Sequence, residues 1–455
     1  MKAGKYDKID TESKNESIFC FSILIWVMSA KYVLDGTMTG WAASCALAGC
    51  MIGVAIAGPA SDRFGRRKVL LGTAVFFLIS ALGTALPRNI TEFVIFRMLG
   101  GVGVGAASMV SPLYIAEISP PRLRGRMVSL NQLAIVSGIL LSYFVNYFIA
   151  GAGDEAWNVA TGWRWMFGAE AIPAVLLLVL LILVPESPRW LFKQGQREKA
   201  GAILRRASGS RIAEEELARI EEALTKDKAI LAELFRPGMR TVLVIGIVLA
   251  ILQQTSGINV IMYYAPEIFK QVGSGTGDAL LQTIAVGSVN LLFTFVAIWA
   301  VDRLGRKPLM IVGAAGMALA QAGIGIAAFT GASPWLLVGF VLGFIACFAS
   351  SMGPVVWVVL SEIFPTRIRG RAMGLATISL WGANLVVSQT FPMLNENPWL
   401  VEVFNRSFPF WVYGSLCVVT VIFVLKVIPE TKGKPLEEIE KIWHVELRHE
   451  QNPSR

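Results

Sequence analysis

Asp62-Arg63-Phe64-Gly65-Arg66-Arg67 returns 240 residues later as Asp302-Arg303-Leu304-Gly305-Arg306-Lys307. Glu117-Ile118-Ser119-Pro120, followed by Arg122-Leu123-Arg124-Gly125-Arg126, returns 245 residues later as Glu362-Ile363-Phe364-Pro365 and Arg367-Ile368-Arg369-Gly370-Arg371. Pro185-Glu186-Ser187 recurs as Pro429-Glu430-Thr431, at an offset of 244. Three charged motifs at nearly one offset mean that the chain is built twice over, as a parallel tandem repeat. Each motif sits at the end of a long apolar run, the layout of a carrier that rocks one half against the other around a central site.

Apolar runs occupy 17–34, 40–60, 68–86, 91–113, 127–150 and 164–184, then 240–268, 278–300, 307–330, 335–361, 371–394 and 407–428. Each is close to the ~20 residues needed to cross a bilayer. Of the 455 residues, 55% are hydrophobic and only 16% charged, and the mean hydropathy is +0.59. A soluble domain carries about 25% charge. So much apolar side chain cannot be hidden in one water-soluble globule, and disordered, collagen-like and disulfide-scaffold classes are excluded with it.

The expected fold is an all-α membrane protein with about twelve transmembrane helices in two six-helix bundles, 1–186 and 240–430. A cytoplasmic helical linker, 187–239, joins them, and a cytoplasmic tail, 431–455, follows. Within the linker, EEELARIEEALTKDKAILAEL (214–234) has helical periodicity with interleaved charges.

The net charge of +9 lies in alternate connections: Arg63 to Lys68, Arg122 to Arg126, Arg303 to Lys307 and Arg367 to Arg371. The loops between them, such as 151–162 and 273–277, are nearly free of Lys and Arg. This is the positive-inside pattern, which places both termini in the cytoplasm of a multi-pass protein of the cell (inner) membrane. It also accounts for the basic balance without nucleic acid. The five cysteines lie in apolar runs without metal spacing and read as core residues. Both histidines, His444 and His449, fall in the polar tail. No metal, no cofactor and no enzyme activity is expected, since the apolar region offers no histidine, metal cluster or nucleophile elbow. The polar N-terminus, Met1 to Glu16, leads into an apolar run without a small-residue cleavage site, so that run is read as a retained span.

Some residues sit where lipid would penalise them. Gln253, Gln254, Thr255, Ser256 and Asn259 crowd one span around Gly257. Unpartnered amides in lipid cost several kcal/mol, so these must face protein or a wet cavity. Single polar or aromatic residues interrupt other spans: Gln132 with Tyr143 and Asn146, Asn290 with Thr294, Trp357 after Gly353-Pro354, and Trp381 ahead of Asn384 and Ser388. Gly353-Pro354 predicts a hinge in the tenth span. The charged motifs predict a latch in which Asp62, Arg66, Glu117 and Arg124, with repeat mates Asp302, Arg306, Glu362 and Arg369, pair across the two halves when the pore is shut inside and separate when it opens. Each surface pair is worth only about 0–1 kcal/mol, but a network can bias two states a few kcal/mol apart.

The D-R-x-G-R-[RK] loops, the E-x-x-x-x-R-x-R-G-R pair, PESPRWL (185–191) and PETKGKPLEEIE (429–440) resemble the sugar porter family of the major facilitator superfamily, from about residue 40 to residue 445. NQLAIVSGILLSYFVNYFIA (131–150) and QQTSGINVIMYYAPEIF (253–269) resemble its proton-coupled, xylose-carrying branch. The resemblance implies monosaccharide transport, of a xylose- or glucose-like sugar, by alternating access with proton symport. It implies sugar contacts from Gln132, Gln253, Gln254, Asn259, Asn290, Trp357, Trp381 and Asn384, with Tyr263 and Tyr264 closing over the site.

The chain departs from that pattern in three places. Proton-coupled members carry an acid in an FGYD segment of the first span, whereas here SIFCFSILIWVMSAKYVL (17–34) holds none. Arg97 matches the family's fourth-span arginine, which leaves Glu170 in the sixth span as its expected partner and proton carrier. Ile139 and Leu380 stand where the xylose carriers have glutamines, a change that shifts sugar preference by ~1 kcal/mol or more. A proton-independent uniporter and a transport-inactive sugar sensor remain as alternatives. The partners expected are the sugar, a proton and the lipid bilayer, and the chain is expected to act as a monomer.

Overall fold

A computed structural model describes residues 36–119, 124–226, 239–271, 276–364 and 369–432. The expected first span, 17–34, the second part of the linker from 227 and the tail beyond 432 lie outside the described residues. The described residues form helices α1 (Gly36–Phe64), α2 (Arg66–Ala85), α3 (Ile90–Ile118), α4 (Arg124–Ala150), α5 (Glu155–Trp157), α6 (Trp163–Ala169) and α7 (Ala171–Leu183). Three shorter helices follow: α8 (Pro188–Lys193), α9 (Arg197–Ser208) and α10 (Ser210–Lys226). The second half contains α11 (Met239–Thr255), α12 (Ile258–Gln271), α13 (Thr276–Leu304), α14 (Arg306–Thr330) and α15 (Pro334–Ala349). It ends with α16 (Met352–Ile363), α17 (Arg369–Asn395), α18 (Pro398–Phe404) and α19 (Phe408–Val427).

Ten spans among the described residues are long and apolar enough to cross a membrane. Helix α17 has 27 residues, about 40 Å at 1.5 Å per residue, and is an eleventh of membrane length. Its polar residues, among them Arg369, Arg371 and Asn384, dilute its hydropathy. Ile172, Leu183, Val312 and Leu319 are largely exposed, as an acyl-chain-facing surface requires. The small helices α8 to α10 instead pack on a core of their own, Leu191, Ala200, Leu204, Ala213 and Leu217.

Several spans are not straight rods. The seventh is broken between α11 and α12, where Gly257 takes φ +85. In the sixth, α6 and α7 meet at Glu170, whose backbone N–H bonds the Phe167 carbonyl in place of an α-helical partner. The tenth breaks between α15 and α16 at Ser350–Ser351, not at the expected Gly353-Pro354. Pro354 lies in the first turn of α16, where a helix has no use for the missing N–H, so it starts a helix and does not kink one.

The first half is drawn together by glycine. A Cβ on Gly101 of α3 would stand 1.9 Å from the Ala46 carbonyl oxygen of α1, and one on Gly105 2.0 Å from that of Cys50. Without side chains there, the two backbones touch. The cores then show how the halves meet. Ala42, Ala85, Phe93, Tyr143, Ala150 and Trp163, at the end of the first half away from its basic loops, share one continuous core with the second half. At the basic end Ala57, Leu70, Ala106, Val110 and Leu181 form a separate core within the first half. Among the described residues the shared core lies at one end, and the core at the basic end of the first half belongs to that half alone.

Candidate substrate and gating site

The crowded amides turn inward. Gln253 and Gln254 occupy the last turn of α11 and are 2% and 7% exposed. Gln253 Nε2 donates to the carbonyls of Met352, at 2.7 Å, and Gly353, at 3.2 Å, in the first turn of α16. Gln254 Nε2 donates to Gln253 Oε1 at 3.4 Å, and Asn259 Nδ2, past the break, donates to Gln254 Oε1. A chain of amides thus runs from α12 through α11 to α16 and links two broken helices. Discontinuous helices of this kind build substrate sites in membrane carriers, because their loosened backbone is tolerated only against protein or water.

Aromatic groups stand beside this chain. Tyr263 of α12 bonds Asn384 of α17, Ser388 Oγ donates to Asn384 Oδ1 at 3.0 Å, and Tyr264 Oη donates to the Ser388 carbonyl at 3.1 Å. Trp381 Nε1 is buried without a hydrogen-bond partner among the described residues. Trp381 and Tyr263 face a cavity of about 420 Å³ whose remaining wall comes from the first half, including Cys50, Ser80, Arg97 and Glu170. That volume falls within the ~300–1,000 Å³ of small-molecule sites.

Arg97 and Glu170, expected to act together, line this one cavity within range of each other's charge. The Arg97 guanidinium also stands 5.7 Å from the Phe167 ring centre. Gln132 and Trp357 are half-buried on α4 and α16, and Asn290 is buried on α13. Among the described residues no hydrogen bond joins these three to the amide chain. Ile139 and Leu380 both pack into the shared core.

The charged motifs form two matching knots. In the first half, Arg66 donates from Nε and Nη2 to Glu117 at 3.0 and 3.1 Å, and from Nη1 to Asp62 at 3.2 Å. Ser187 Oγ donates to Glu117, and Glu186 accepts the backbone N–H groups of Arg66 and Arg67 at 2.9 and 3.1 Å. In the second half, Arg306 Nη2 donates to Glu362 at 3.0 Å and Thr431 Oγ1 to the same carboxylate at 2.6 Å. Glu430 accepts the N–H groups of Arg306 and Lys307, each at 3.0 Å. Both carboxylates thus sit at the positive end of a helix. Gly65 and Gly305, with φ of +96 and +94, let the chain turn there, and a Cβ on either would strike Glu186 or Glu430. Burial opposes the Glu430 charge, but the N–H groups of Lys432, Arg306, Lys307 and Thr431 outweigh it and hold its pKa below the ordinary value.

The expected latch, which pairs the halves only when the pore is shut inside, is not made by these pairs. The Arg66–Glu117 and Arg306–Glu362 pairs lie within one half each and do not cross the seam. Arg369 Nε donates to the Phe364 carbonyl of its own half at 3.2 Å, and the side chains of Arg124 and Asp302 lie outside the described residues. Glu186, Ser187, Glu430 and Thr431 were legible as repeat markers and were missed as members of the knots. Hydrogen bonds cross the seam at the opposite end. Ser44 Oγ donates to Gln389 Oε1 at 2.8 Å, Gln389 Nε2 to the Thr37 carbonyl at 2.9 Å, and Tyr143 Oη to the Met262 carbonyl at 3.1 Å. Gln389 went unremarked in the sequence because a lone amide near a helix end carries no periodic signal.

Comparison with known proteins agrees with this geometry. The family model "Sugar (and other) transporter" matches residues 8–443. The D-xylose-proton symporter of Escherichia coli is 47% identical over 433 residues, covering 91% of this chain and 88% of that protein. The arabinose-proton symporter of Bacillus subtilis is 43% identical over 414 residues, covering 90% and 88%. The structure of the major facilitator superfamily proton:xylose symporter XylE bound to 6-bromo-6-deoxy-D-glucose superposes with a TM-score of 0.80 at 46% identity, over 93% of this chain and 94% of that one. The protein is a multi-pass membrane protein of the major facilitator fold and belongs to the sugar transporter family.

Proposed function

We propose that this chain carries a monosaccharide, xylose- or glucose-like, across the cell (inner) membrane by alternating access with a proton as co-substrate. The observation that carries this reading is the amide chain Asn259–Gln254–Gln253, buried at a helix break next to the seam cavity. Neutral amides match sugar hydroxyls, and Trp381 and Tyr263 offer aromatic surface for the sugar's C–H face. The relatives from Escherichia coli and Bacillus subtilis, a D-xylose-proton and an arabinose-proton symporter, support both sugar and proton.

Gln132, Asn290, Trp357 and Asn384 complete the sugar set in this reading, while Arg97 and Glu170 couple the proton. Glu170 alternates between neutral and charged forms as the cavity changes its exposure. Asp62, Arg66, Glu117 and Arg124 with Asp302, Arg306, Glu362 and Arg369 govern the basic end, and Tyr263 and Tyr264 the other. Two bundles, 1–186 and 240–430, move about the linker 187–239, with the basic loops, the tail 431–455 and both termini in the cytoplasm. The arrangement seen here, fused away from the basic loops, is then the inward-facing one.

Radiolabelled pentose and hexose uptake into proteoliposomes, with and without an imposed pH gradient, tests the reading. Accumulation of one sugar that needs the gradient and is lost in Gln254→Ala is expected. Uptake that ignores the gradient would identify a uniporter, and sugar binding without counterflow would identify a sensor.

A further inference from the structure

Gln321 lies in α14, fully buried at 0% exposure, in a helix whose neighbouring positions are small or apolar. Its Nε2 donates to the Ser256 carbonyl at 3.0 Å. Ser256 directly follows the end of α11, so its carbonyl is among those a broken helix leaves without an intrahelical donor. Cys417 Sγ reaches the same oxygen from α19, at 4.0 Å. At the break, a Cβ on Gly257 would stand 3.1 Å from Gln321 Nε2 and 2.8 Å from the Tyr413 ring. Gln321 and Tyr413 therefore wall the break from behind. Gln321 Oε1 and Tyr413 Oη are both buried without a partner among the described residues.

A buried amide with half of its hydrogen-bonding capacity unspent is a poorer core residue than a methionine or leucine of similar size. What the amide supplies is the single bond to Ser256. We propose that Gln321 is a positioning residue for the substrate site: by holding the Ser256 carbonyl it sets the angle between α11 and α12. That angle decides where Asn259 and Tyr263, on the first turns of α12, stand relative to Gln254 on the last turn of α11. Gln321 touches no substrate. The inference rests on the proposal that the amide chain binds sugar.

The test is Gln321→Met, which keeps length and volume and deletes the donor, with Gln321→Leu serving the same reading should the methionine variant express poorly. Purified full-length protein is titrated with D-xylose and, in parallel, D-glucose by tryptophan fluorescence, alongside its thermal midpoint and a Gln254→Ala control. A positioning role splits the two readouts: the Tm stays at or above that of the unaltered protein, while Kd weakens roughly 3- to 10-fold, the worth of one displaced hydrogen bond. A Kd within twofold of the unaltered protein overturns the proposal, as does a Kd that weakens only together with a fall in Tm. Loss of binding in Gln254→Ala beside an unchanged Gln321→Met removes the positioning role alone. Unchanged binding in Gln254→Ala overturns the sugar-site reading beneath it.

Discussion

The two halves agree at one level of the molecule and differ at another. At the basic end each ties three helix ends with the same parts: an arginine on a carboxylate, a hydroxyl on that carboxylate, and a second carboxylate on two backbone N–H groups. Midway along the spans the likeness ends. The second half has two broken helices bridged by amides, whereas the first has an unbroken α3 packed through glycine and carries Arg97 and Glu170. The repeat persists at the basic ends and diverges midway, where the second half places the buried amide chain and the first half places Arg97 and Glu170.

The knots themselves are unequal, and the largest expected effect lies there. The Arg66 and Glu117 side chains are 9% and 6% exposed, against 13% and 20% for Arg306 and Glu362. Stranding one buried charge costs about 3–5 kcal/mol. Arg66→Ala is expected to lose about that much in denaturant or thermal unfolding, and Arg306→Ala about half, since water reaches its carboxylate. Equal losses would show that the repeat mates are equivalent after all.

A smaller effect concerns pH. Because the folded pKa of Glu430 is depressed, its contribution is present above the ordinary carboxylate value and is lost as pH falls through the folded one. Glu430→Gln is therefore expected to lower stability near neutral pH by about 0.5–1.5 kcal/mol, less than the ~1.5–3 kcal/mol of a buried charged hydrogen bond because water screens this partly exposed carboxylate. The gap to the unaltered protein should close in unfolding scans below about pH 4, near and under that ordinary value. A gap that persists at lower pH would deny the charge any part in the knot.

The smallest effect belongs to the seam. Gln389→Ala removes the amide that receives Ser44 and reaches Thr37, worth about 1 kcal/mol. It should raise the accessibility of a cysteine placed near Ser44 to a water-soluble thiol reagent severalfold, with stability nearly unchanged. No change would mean that the apolar core at that end, around Ala42 and Tyr143, seals it alone.

Much of this was legible in the residues. Tandem motifs and apolar runs announce a doubled helical bundle because both are periodic, and five polar residues around Gly257 announce a protein-lined or wet site because lipid tolerates them nowhere else. The knots within each half went unread, since sequence shows which charges exist but not which lie on the same side of a seam. The break in the tenth span was placed at Gly353-Pro354 because proline is the stronger local signal. Ser351, at φ −139 and ψ −90, takes the turn instead, its hydroxyl bonding the Cys347 carbonyl close to α14. That is a tertiary packing effect, invisible along the chain. Gln321 was likewise indistinguishable from core filling until its bond to Ser256 was seen.

The division between the amide chain of the second half and Glu170 of the first is tested most directly by comparing Gln254→Ala and Glu170→Gln in the same proteoliposomes, measuring sugar counterflow without a gradient and uptake driven by a pH gradient. Gln254→Ala should lose both by roughly 10- to 100-fold, as for a deleted buried hydrogen-bond partner. Glu170→Gln should keep counterflow and lose the response to the gradient. A Glu170→Gln protein that still concentrates sugar against the gradient, or a Gln254→Ala protein with unaltered counterflow, would contradict it.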